Sequence, residues 1–334
     1  MSGEAPTAQP MSPMKSEVEY LEYTTVPGYF QQDDRATNDK IFDYTKTNFG
    51  LIERSYEGQA EESQKTQWEK FELEVARLNR ESDDSVQYKV LFLGRHGEGY
   101  HNVAEAFYGT KDWDCYWSLQ DGNETSTWAD ALLTSIGEAQ AQKANKFWQS
   151  LIETQKIQTP QSYYTSPLLR CMATASITFS GLDLPRDRPF KPLIKELIRE
   201  AIGAHTCDRR SSKSVIHGHY PDWPFEEGFA EEDPLWDAEL RESDEAMDIR
   251  LRKALDEVFG TDENTWISIS SHSGAIGSTL RVLGHRVFSL GTGQVIPVLV
   301  KAEKAAGTGP PREKGPYFKV PTCPKPPPVI TSLA

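Results

Sequence analysis

The chain has little of what marks a membrane, secreted or nucleic-acid-binding protein. No apolar run approaches the roughly 20 residues that a membrane-spanning helix needs. Residues 1–6 have neither the basic nor the apolar region of a signal peptide. Only 36 lysines and arginines stand against 50 acidic residues, a formal net charge of −14, which disfavours general binding to nucleic acid. We therefore expect a cytoplasmic or nuclear protein that has neither a membrane nor a nucleic acid as its partner.

Cysteine is also scarce, and its spacing is uninformative. The chain has four cysteines, and no two of them form a CxxC pair. Such a pattern is typical of isolated thiols in a reducing compartment, although it leaves a disulfide open. The four are Cys115, Cys171, Cys207 and Cys323.

Short apolar runs alternate with helical patterns over most of the chain. The predicted strands cover residues 89–94, 162–165, 265–270 and 295–301. Between them, apolar residues recur at steps of three and four, which is typical of amphipathic helices. This alternation predicts the α/β class, with a three-layer α/β/α sandwich around a mostly parallel sheet.

The segments without periodicity define the expected domain organisation. Two of them are too long to be simple connections, so we interpret them as irregular lid insertions over the active face. The expected parts are a disordered N-terminus at 1–16, an N-terminal arm and helix at 17–88, the main domain at 89–304 with lid insertions at 107–131 and 203–245, and a proline-rich C-terminal tail at 305–334.

Charged side chains follow several of the predicted strands directly. Arg95 and His96 come after the apolar run 90–93, and a glycine follows them. Ligands of open α/β sheets bind beyond the carboxyl ends of the strands. An arginine beside a histidine at such an end suits an anion, with phosphate as the leading candidate. The other charged segments are Ser166–Arg170, Leu197–Glu200 and Ser271–His272.

Two arginines, two histidines and one carboxylate form a suitable set for phosphoryl transfer. Catalysis of this reaction is largely positioning and stabilisation of negative charge. Guanidinium groups match phosphate oxygens bidentately, and a neutral imidazole can attack phosphorus and form a covalent intermediate. A nearby carboxylic acid can protonate the leaving alkoxide and later deprotonate water.

With these residues in place, a family resemblance becomes specific. The run Gly94-Arg95-His96-Gly97, with Asn102 six residues after His96, resembles the signature of the histidine phosphatase superfamily, in its phosphoglycerate mutase-like branch. Four later segments resemble the family's other motifs in the same order, and the match covers about residues 89–300. These segments lie at 133–141, 166–175, 197–203 and 268–274. Among members of this branch, the chain looks most like fungal phosphomutase-like proteins.

The resemblance implies a role for each matching residue. His96 is implied as the nucleophile, and Glu200 as the general acid and base. The side chains implied to bind the phosphoryl oxygens are Arg95, Arg170 and His272, assisted by Asn102. No metal and no cofactor are implied, because positive side chains neutralise the charge.

Several assignments stay open at this stage. Glu98 and Glu196 are alternatives to Glu200 as the acid. Glu98, His205, Arg209 and Arg210 are candidates for a substrate lid, with a salt-bridged loop as the competing interpretation for the last three. His217 and His219 could belong to a metal site, but two histidines without a third ligand at a clear spacing are weak support for one.

The sequence favours a metal-independent phosphatase that acts on a small phosphorylated substrate. A phosphomutase is the first alternative, and it would need a second basic set such as Arg209, Arg210 and Lys213. A non-catalytic protein that binds phosphorylated ligands is the second alternative. The leaving group and the oligomeric state are not specified by the sequence.

Overall fold

A computed structural model of the protein describes residues 18–57 and 64–328. The predicted disorder of residues 1–16 lies outside this part of the chain. The strands are β1 (Val18–Thr25), β2 (Val86–Arg95), β3 (Ser162–Thr165), β4 (Leu193–Ile194), β5 (Leu240–Glu242), β6 (Trp266–Ser271), β7 (Val295–Gly307) and β8 (Tyr317–Lys319). The α-helices are α1 (Gln67–Glu81), α2 (Tyr100–Tyr108), α3 (Thr110–Cys115), α4 (Ser135–Gln155), α5 (Leu169–Phe179), α6 (Lys213–His219), α7 (Asp244–Thr261) and α8 (Ser273–Val282). None of the described helices is both long and apolar enough to cross a membrane.

A six-stranded sheet forms the centre of the molecule, in the order β1-β7-β2-β6-β3-β4. The pairs β2–β6, β6–β3 and β3–β4 are parallel, whereas β7 runs antiparallel to both of its neighbours. The predicted α/β class with a mostly parallel sheet is thus confirmed. Both antiparallel pairs involve β7, which lies with β1 at one side of the sheet.

The central strands are covered on both faces. Val90, Leu91, Phe92 and Leu93 follow one another in β2, and each is at most 1% exposed. Successive side chains of a strand point to opposite faces, so a run like this requires helices on both sides of the sheet. Helices α1, α4 and α5 pack together, and α7 packs with α8 as a separate pair.

The N-terminal arm takes part in the sheet and in the core. The sequence indicated an irregular arm, but β1 pairs with β7 along eight residues, from Val18 opposite Gly307 to Thr25 opposite Val300. Its burial alternates only near its end, so the period of a strand is hard to see in the sequence. Farther along the arm, Phe49 is fully buried, and its ring centroid lies 5.1 Å from that of Trp148 in α4.

The two expected lid insertions contain more regular structure than the sequence indicated, and they contact each other. The first lid segment (residues 107–131) contains α3, and the second lid segment (residues 203–245) contains α6 and β5. Cys207 of the second packs in a small apolar cluster with Trp113 and Trp128 of the first. The Thr206 hydroxyl donates a hydrogen bond of 2.5 Å to the carbonyl of Gln120. The two segments therefore form one cover.

The C-terminal tail is attached to both lid segments. Its strand β8 pairs antiparallel with β5, and a disulfide joins Cys323 to Cys115 at the end of α3. The interpretation of the cysteines as isolated thiols is therefore wrong for this pair, while Cys171 and Cys207 are free and buried. The two bonded residues are 208 positions apart, so no local spacing could have indicated the bond.

We expect this disulfide to stabilise the folded protein. Cross-linking residues so far apart restricts the unfolded chain strongly, and such bonds contribute about 2–5 kcal/mol. The variant C115S/C323S should lose about this much free energy of unfolding in urea titrations. A reducing agent should lower the stability of the wild type and leave that of the double variant unchanged. Equal stability of the two proteins without reductant would contradict the expectation.

Candidate active site

The charged segments that the sequence placed at strand ends meet at one edge of the sheet. Strands β2, β6, β3 and β4 run parallel, so their carboxyl ends share this edge. Arg95 at the end of β2 lies opposite Ser271 at the end of β6. The side chains that this arrangement gathers around His96 are Arg95, Arg170 and His272, and Glu200 lies close enough to Arg95 to attract its charge.

His96 is held in the orientation that a nucleophile requires. It is only 2% exposed, and its Nδ1 lies 2.7 Å from the carbonyl oxygen of Gly97. A carbonyl oxygen can only accept a hydrogen bond, so we assign the proton to Nδ1. The lone pair of neutral His96 is then on Nε2, which is the nitrogen free to attack phosphorus.

The turn after His96 depends on a close contact that only glycine permits. A Cβ atom at Gly97 would lie 2.3 Å from the carbonyl oxygen of Gly137 in the first turn of α4. The Gly97 amide also donates to the Thr174 hydroxyl at 2.9 Å, and that hydroxyl donates to the carbonyl of Arg170 at 2.7 Å. The turn after His96 is thereby connected to α5, the helix that contains Arg170.

Arg95 and Arg170 place two guanidinium groups beside His96. Nη1 of Arg95 donates to the Leu290 carbonyl at 2.7 Å, and Arg170 is 1% exposed. The Nε atom of each arginine is buried and donates to no acceptor in the described chain. Burial, reinforced by the charges of Arg170 and Arg95, lowers the pKa of His96 well below its usual range. His96 therefore stays neutral, as a nucleophile must.

Two further imidazoles flank His96. The ring centroids of His272 and His101 lie 5.1 Å and 5.3 Å from that of His96. His272 Nε2 is 2.8 Å from the Ser166 hydroxyl. Burial lowers the pKa of both His101 and His272 well below the usual value, and Arg170 adds to this effect. No role in the site was expected for His101 from the sequence, although the structure places it beside His96.

Glu200 is fixed at the start of α8. Its Oε2 accepts a hydrogen bond from the Gly274 amide at 3.0 Å, and its Oε1 accepts one from the Ala201 amide at 3.0 Å. A Cβ atom at position 274 would lie 2.2 Å from Oε1, so the carboxylate needs a glycine at that position. Glu200 also attracts the guanidinium of Arg95. This location suits a group that must exchange protons near His96.

The other two acid candidates have different surroundings. Oε1 of Glu98 accepts a hydrogen bond from the Thr134 hydroxyl at 2.7 Å. Glu196 forms buried ion pairs, at 2.7 Å with Arg199 and at 2.8 Å with Arg210. Both carboxylate oxygens of Glu196 accept hydrogen bonds from these guanidinium groups, so we interpret Glu196 as a structural residue.

Asn102 and His205 each contact a group other than His96. Asn102 uses Oδ1 to accept from the Gly99 amide at 3.0 Å, which caps α2. His205 is 9% exposed, with Nε2 at 3.9 Å from a carboxylate oxygen of Asp114. Burial, together with the charge of Arg241, lowers the pKa of His205 to about 4.

The two lid arginines are engaged away from the nucleophile. Arg209 forms an ion pair of 2.7 Å with Asp121 and stacks over the Trp236 ring. Arg210 donates to Glu196 and to the carbonyls of residues 211 and 230–232. The contacts of these two residues thus match the salt-bridged loop, which was the alternative to a substrate lid in the sequence analysis.

Some residues that hold the site together were assigned no role of their own from the sequence. Ser166 contacts His272, and Arg250 donates to the carbonyls of Leu197, Arg199 and Glu200. Asp208 pairs with Arg170 at 2.9 Å. Their partners are distant in sequence or are backbone atoms, and neither kind of partner leaves a spacing pattern.

One group of potential metal ligands lies near the site, but its charges do not suit a cation. Single ligand atoms of His205, Cys207 and Asp208 lie within 4.8 Å of one another. The Asp208 carboxylate is already bound by the guanidinium groups of Arg170 and Arg241. A divalent cation would therefore stand next to two positive charges. The other candidate pair, His217 and His219, is exposed at the end of α6.

The buried histidines predict a pH-dependent stability. In the folded protein, the pKa values of His96, His101, His205 and His272 are lowered, so the unfolded chain binds more protons below about pH 6.5. Stability is therefore full above this pH and falls on acidification, by up to about 1.4 kcal/mol per pH unit for each histidine.

Urea unfolding at pH 7.5, 6.5 and 5.5 measures this effect. The variant H205Q should show a shallower loss of stability, whereas H219Q, which changes an exposed residue of α6, should follow the wild type. A free energy of unfolding that is constant between pH 7.5 and 5.5 would contradict the expectation.

Comparison with known proteins agrees with this geometry. The family model of the histidine phosphatase superfamily (branch 1) matches residues 116–290, a range that includes Arg170, Glu200 and His272. The chain is 52% identical over 286 residues to a "Probable phosphoglycerate mutase" of Arthroderma benhamiae, with 85% of each chain covered. It is 38% identical over 248 residues to "Phosphomutase-like protein 3" of Candida albicans, covering 74% of this chain and 76% of the relative.

Among solved structures, a mycobacterial glucosyl-3-phosphoglycerate phosphatase is similar at 15% identity, with a TM-score of 0.37. The alignment covers 64% of this chain and 91% of that one. This similarity is too distant to inform the substrate. The family model matches about half of the chain, and the fungal relatives agree with it at much higher identity over 74–85% of its length; the chain accordingly belongs to the histidine phosphatase superfamily, in its phosphoglycerate mutase-like branch.

Proposed function

We propose that the protein is a metal-independent phosphatase that hydrolyses a small phosphate monoester through a phosphohistidine formed on His96. The main support is the pair of buried Nε–H donors on Arg95 and Arg170, which have no acceptor in the described chain. A buried donor without a partner costs about 1–3 kcal/mol. Phosphoryl oxygens would satisfy both donors beside the neutral nucleophile.

In the first step, the lone pair on Nε2 of His96 attacks phosphorus. A bond forms between Nε2 and phosphorus while the bond from phosphorus to the ester oxygen breaks. Glu200, in its protonated form, gives its proton to the leaving alkoxide, so an alcohol departs. Arg95 and Arg170 stabilise the charge on the phosphoryl oxygens throughout.

In the second step, water replaces the alcohol. The Glu200 carboxylate takes a proton from water as the water oxygen attacks phosphorus. The bond between phosphorus and Nε2 breaks, which frees orthophosphate and returns His96 and Glu200 to their starting states. In this scheme, guanidinium groups provide the positive charge, so it uses no metal and no cofactor.

The alternative activity is that of a phosphomutase, as the names of the fungal relatives suggest. A mutase must hold a second phosphate, and the expected basic set was Arg209, Arg210 and Lys213. Arg210 is buried in ion pairs, Arg209 is paired with Asp121, and Lys213 lies over the Phe225 ring. Because these cations already have partners, hydrolysis is the better-supported activity.

The proposed partner is a small phosphorylated molecule. The net charge of −14 disfavours nucleic acid and anionic membrane surfaces as partners. The cytoplasmic or nuclear location stays a prediction. The Cys115–Cys323 bond would persist best in an oxidising compartment, so a fluorescent fusion is the direct test of location.

We expect His96 to be essential for turnover in the presence of EDTA. H96N should lower the rate of phosphate release by at least about 10³-fold, because the covalent route is lost. The wild type, quenched after mixing with labelled substrate, should contain acid-labile label at His96. H219N, which changes an exposed histidine, should keep both the rate and the label.

A panel of monoesters and bisphosphates separates the competing functions. Phosphate release without an isomerised product supports the phosphatase. An isomerised product without release would establish a mutase instead. Binding of phosphorylated ligands without turnover or label would indicate a protein that only binds phosphate.

The assignment of the acid predicts a dependence on the leaving group. E200Q should slow the hydrolysis of alkyl phosphates by about 10²–10⁴-fold, since a poor leaving group needs a proton. For an aryl phosphate, the rate of the phosphorylation step should fall much less, because the aryloxide leaves without a proton. E98Q is the matched variant and should change both rates little. If E98Q instead showed the larger loss with alkyl esters, Glu98 would be the acid.

A further inference from the structure

The one-turn helix Thr206–Asp208 of the second lid segment binds the phosphate-site arginine directly. Arg170 Nη1 donates to the Cys207 carbonyl at 2.6 Å, and Arg170 Nη2 donates to Asp208 Oδ1 at 2.9 Å. Side chains of Arg170 and Asp208 are both less than 5% exposed. The contact is therefore shielded from water, and groups of the second lid segment determine its geometry.

The Asp208 carboxylate is shared between two guanidinium groups. Oδ1 accepts from Arg170, while Oδ2 accepts from both Nη1 and Nη2 of Arg241 at 3.2 Å. Burial alone would raise the pKa of Asp208, but Arg241 and Arg170 hold it below the usual range. Asp208 therefore remains ionised and compensates the buried charge of Arg170.

This arrangement occupies two of the three nitrogens of Arg170 and leaves Nε without an acceptor in the described chain. We propose that Asp208 is a positioning residue, which orients Arg170 so that the free edge of its guanidinium receives the phosphoryl oxygens. The proposal rests on the function proposed above. It also gives the second lid segment a part in phosphate binding.

A second buried carboxylate fixes the backbone around the same arginine. Asp130 Oδ1 accepts from the Leu169 amide at 2.9 Å, directly before Arg170, and Oδ2 accepts from the Ser211 amide at 2.8 Å. The start of α5 and the lid are thus joined by backbone contacts as well. Because Asp130 fixes the backbone, Asp208 has the separate role of orienting the Arg170 side chain.

Exchange of Asp208 for asparagine tests the proposal, because an amide has the same shape and only one acceptor oxygen. In D208N, either Arg170 or Arg241 must face an amide NH₂ group. We expect the Kd for orthophosphate, measured by calorimetry, to rise 10–100-fold and kcat/KM to fall in parallel. E74Q is the matched control, since Glu74 is also a buried carboxylate bound by an arginine, but in α1.

A double variant separates positioning from a loss of folding. In D208N/R241Q, the amide oxygen introduced at position 208 no longer has Arg241 as a partner and is free to accept from Arg170. Phosphate affinity should therefore recover to within about 10-fold of the wild type. R241Q alone should change the Kd for orthophosphate less than 3-fold, because the Arg170–Asp208 pair is retained.

The outcomes distinguish this proposal from the proposed function. If the wild type hydrolyses esters and D208N binds orthophosphate as tightly as E74Q does, Asp208 does not position Arg170. An equal loss in D208N and D208N/R241Q would also overturn the positioning role. If the wild type itself neither binds orthophosphate nor forms labelled His96, the proposed function fails instead.

Discussion

Buried arginines, and the carboxylates that neutralise them, are the constraint on which this structure depends. Arg170, Arg199, Arg210 and Arg250 are all at most 8% exposed. A buried charge without a counter-charge costs several kcal/mol, so each of them needs an acid close by. Their acidic partners are Asp208, Asp233, Glu196 and Glu242. Arg95 differs, since its Nη1 donates to a carbonyl and it forms no salt bridge within the described chain.

This network shows how an acidic protein can concentrate positive charge at the site where we propose that a phosphate binds. The surface charge is negative, but at the end of the sheet the positive groups are few, fixed and removed from water. Electrostatic interactions are stronger there than at the surface. The loop of Glu200 is held by the same means, because Arg250 binds the carbonyls of Leu197, Arg199 and Glu200 and is itself neutralised by Glu242 at 2.5 Å. The loop of Glu200 and the side chain of Arg170 are thus each held by a buried ion pair, Arg250–Glu242 and Arg170–Asp208.

The parts that the sequence predicted well are those governed by the parallel strands. An apolar run ending at Arg95 and His96 and a second run ending at His272 must place these side chains at one edge, because parallel strands share their carboxyl ends. The helices with clear periodicity were also located within a few residues. Strand β1 was not predicted, because as an edge strand it alternates too weakly to show a period.

The lid was the least predictable part. The cluster around Asp208 and Arg210 could be interpreted either as substrate contacts or as a salt-bridged loop. Which interpretation is right depends on partners such as Glu196 and Arg170, and only the tertiary fold brings these partners close to Arg210 and Asp208. The Cys115–Cys323 pair was missed for the same reason, since it joins elements that meet only after both have folded onto the domain.

That disulfide also has a consequence for the order of events during synthesis. A ribosome adds about 5–20 residues per second, so the 208 residues that separate the two cysteines take roughly 10–40 s to make. Through that interval, α3 and the rest of the first lid segment have only non-covalent contacts, and the thiol of Cys115 has no partner. The covalent closure of the cover therefore cannot precede the synthesis of Cys323, and the redox conditions that decide it are those which the nearly complete chain meets.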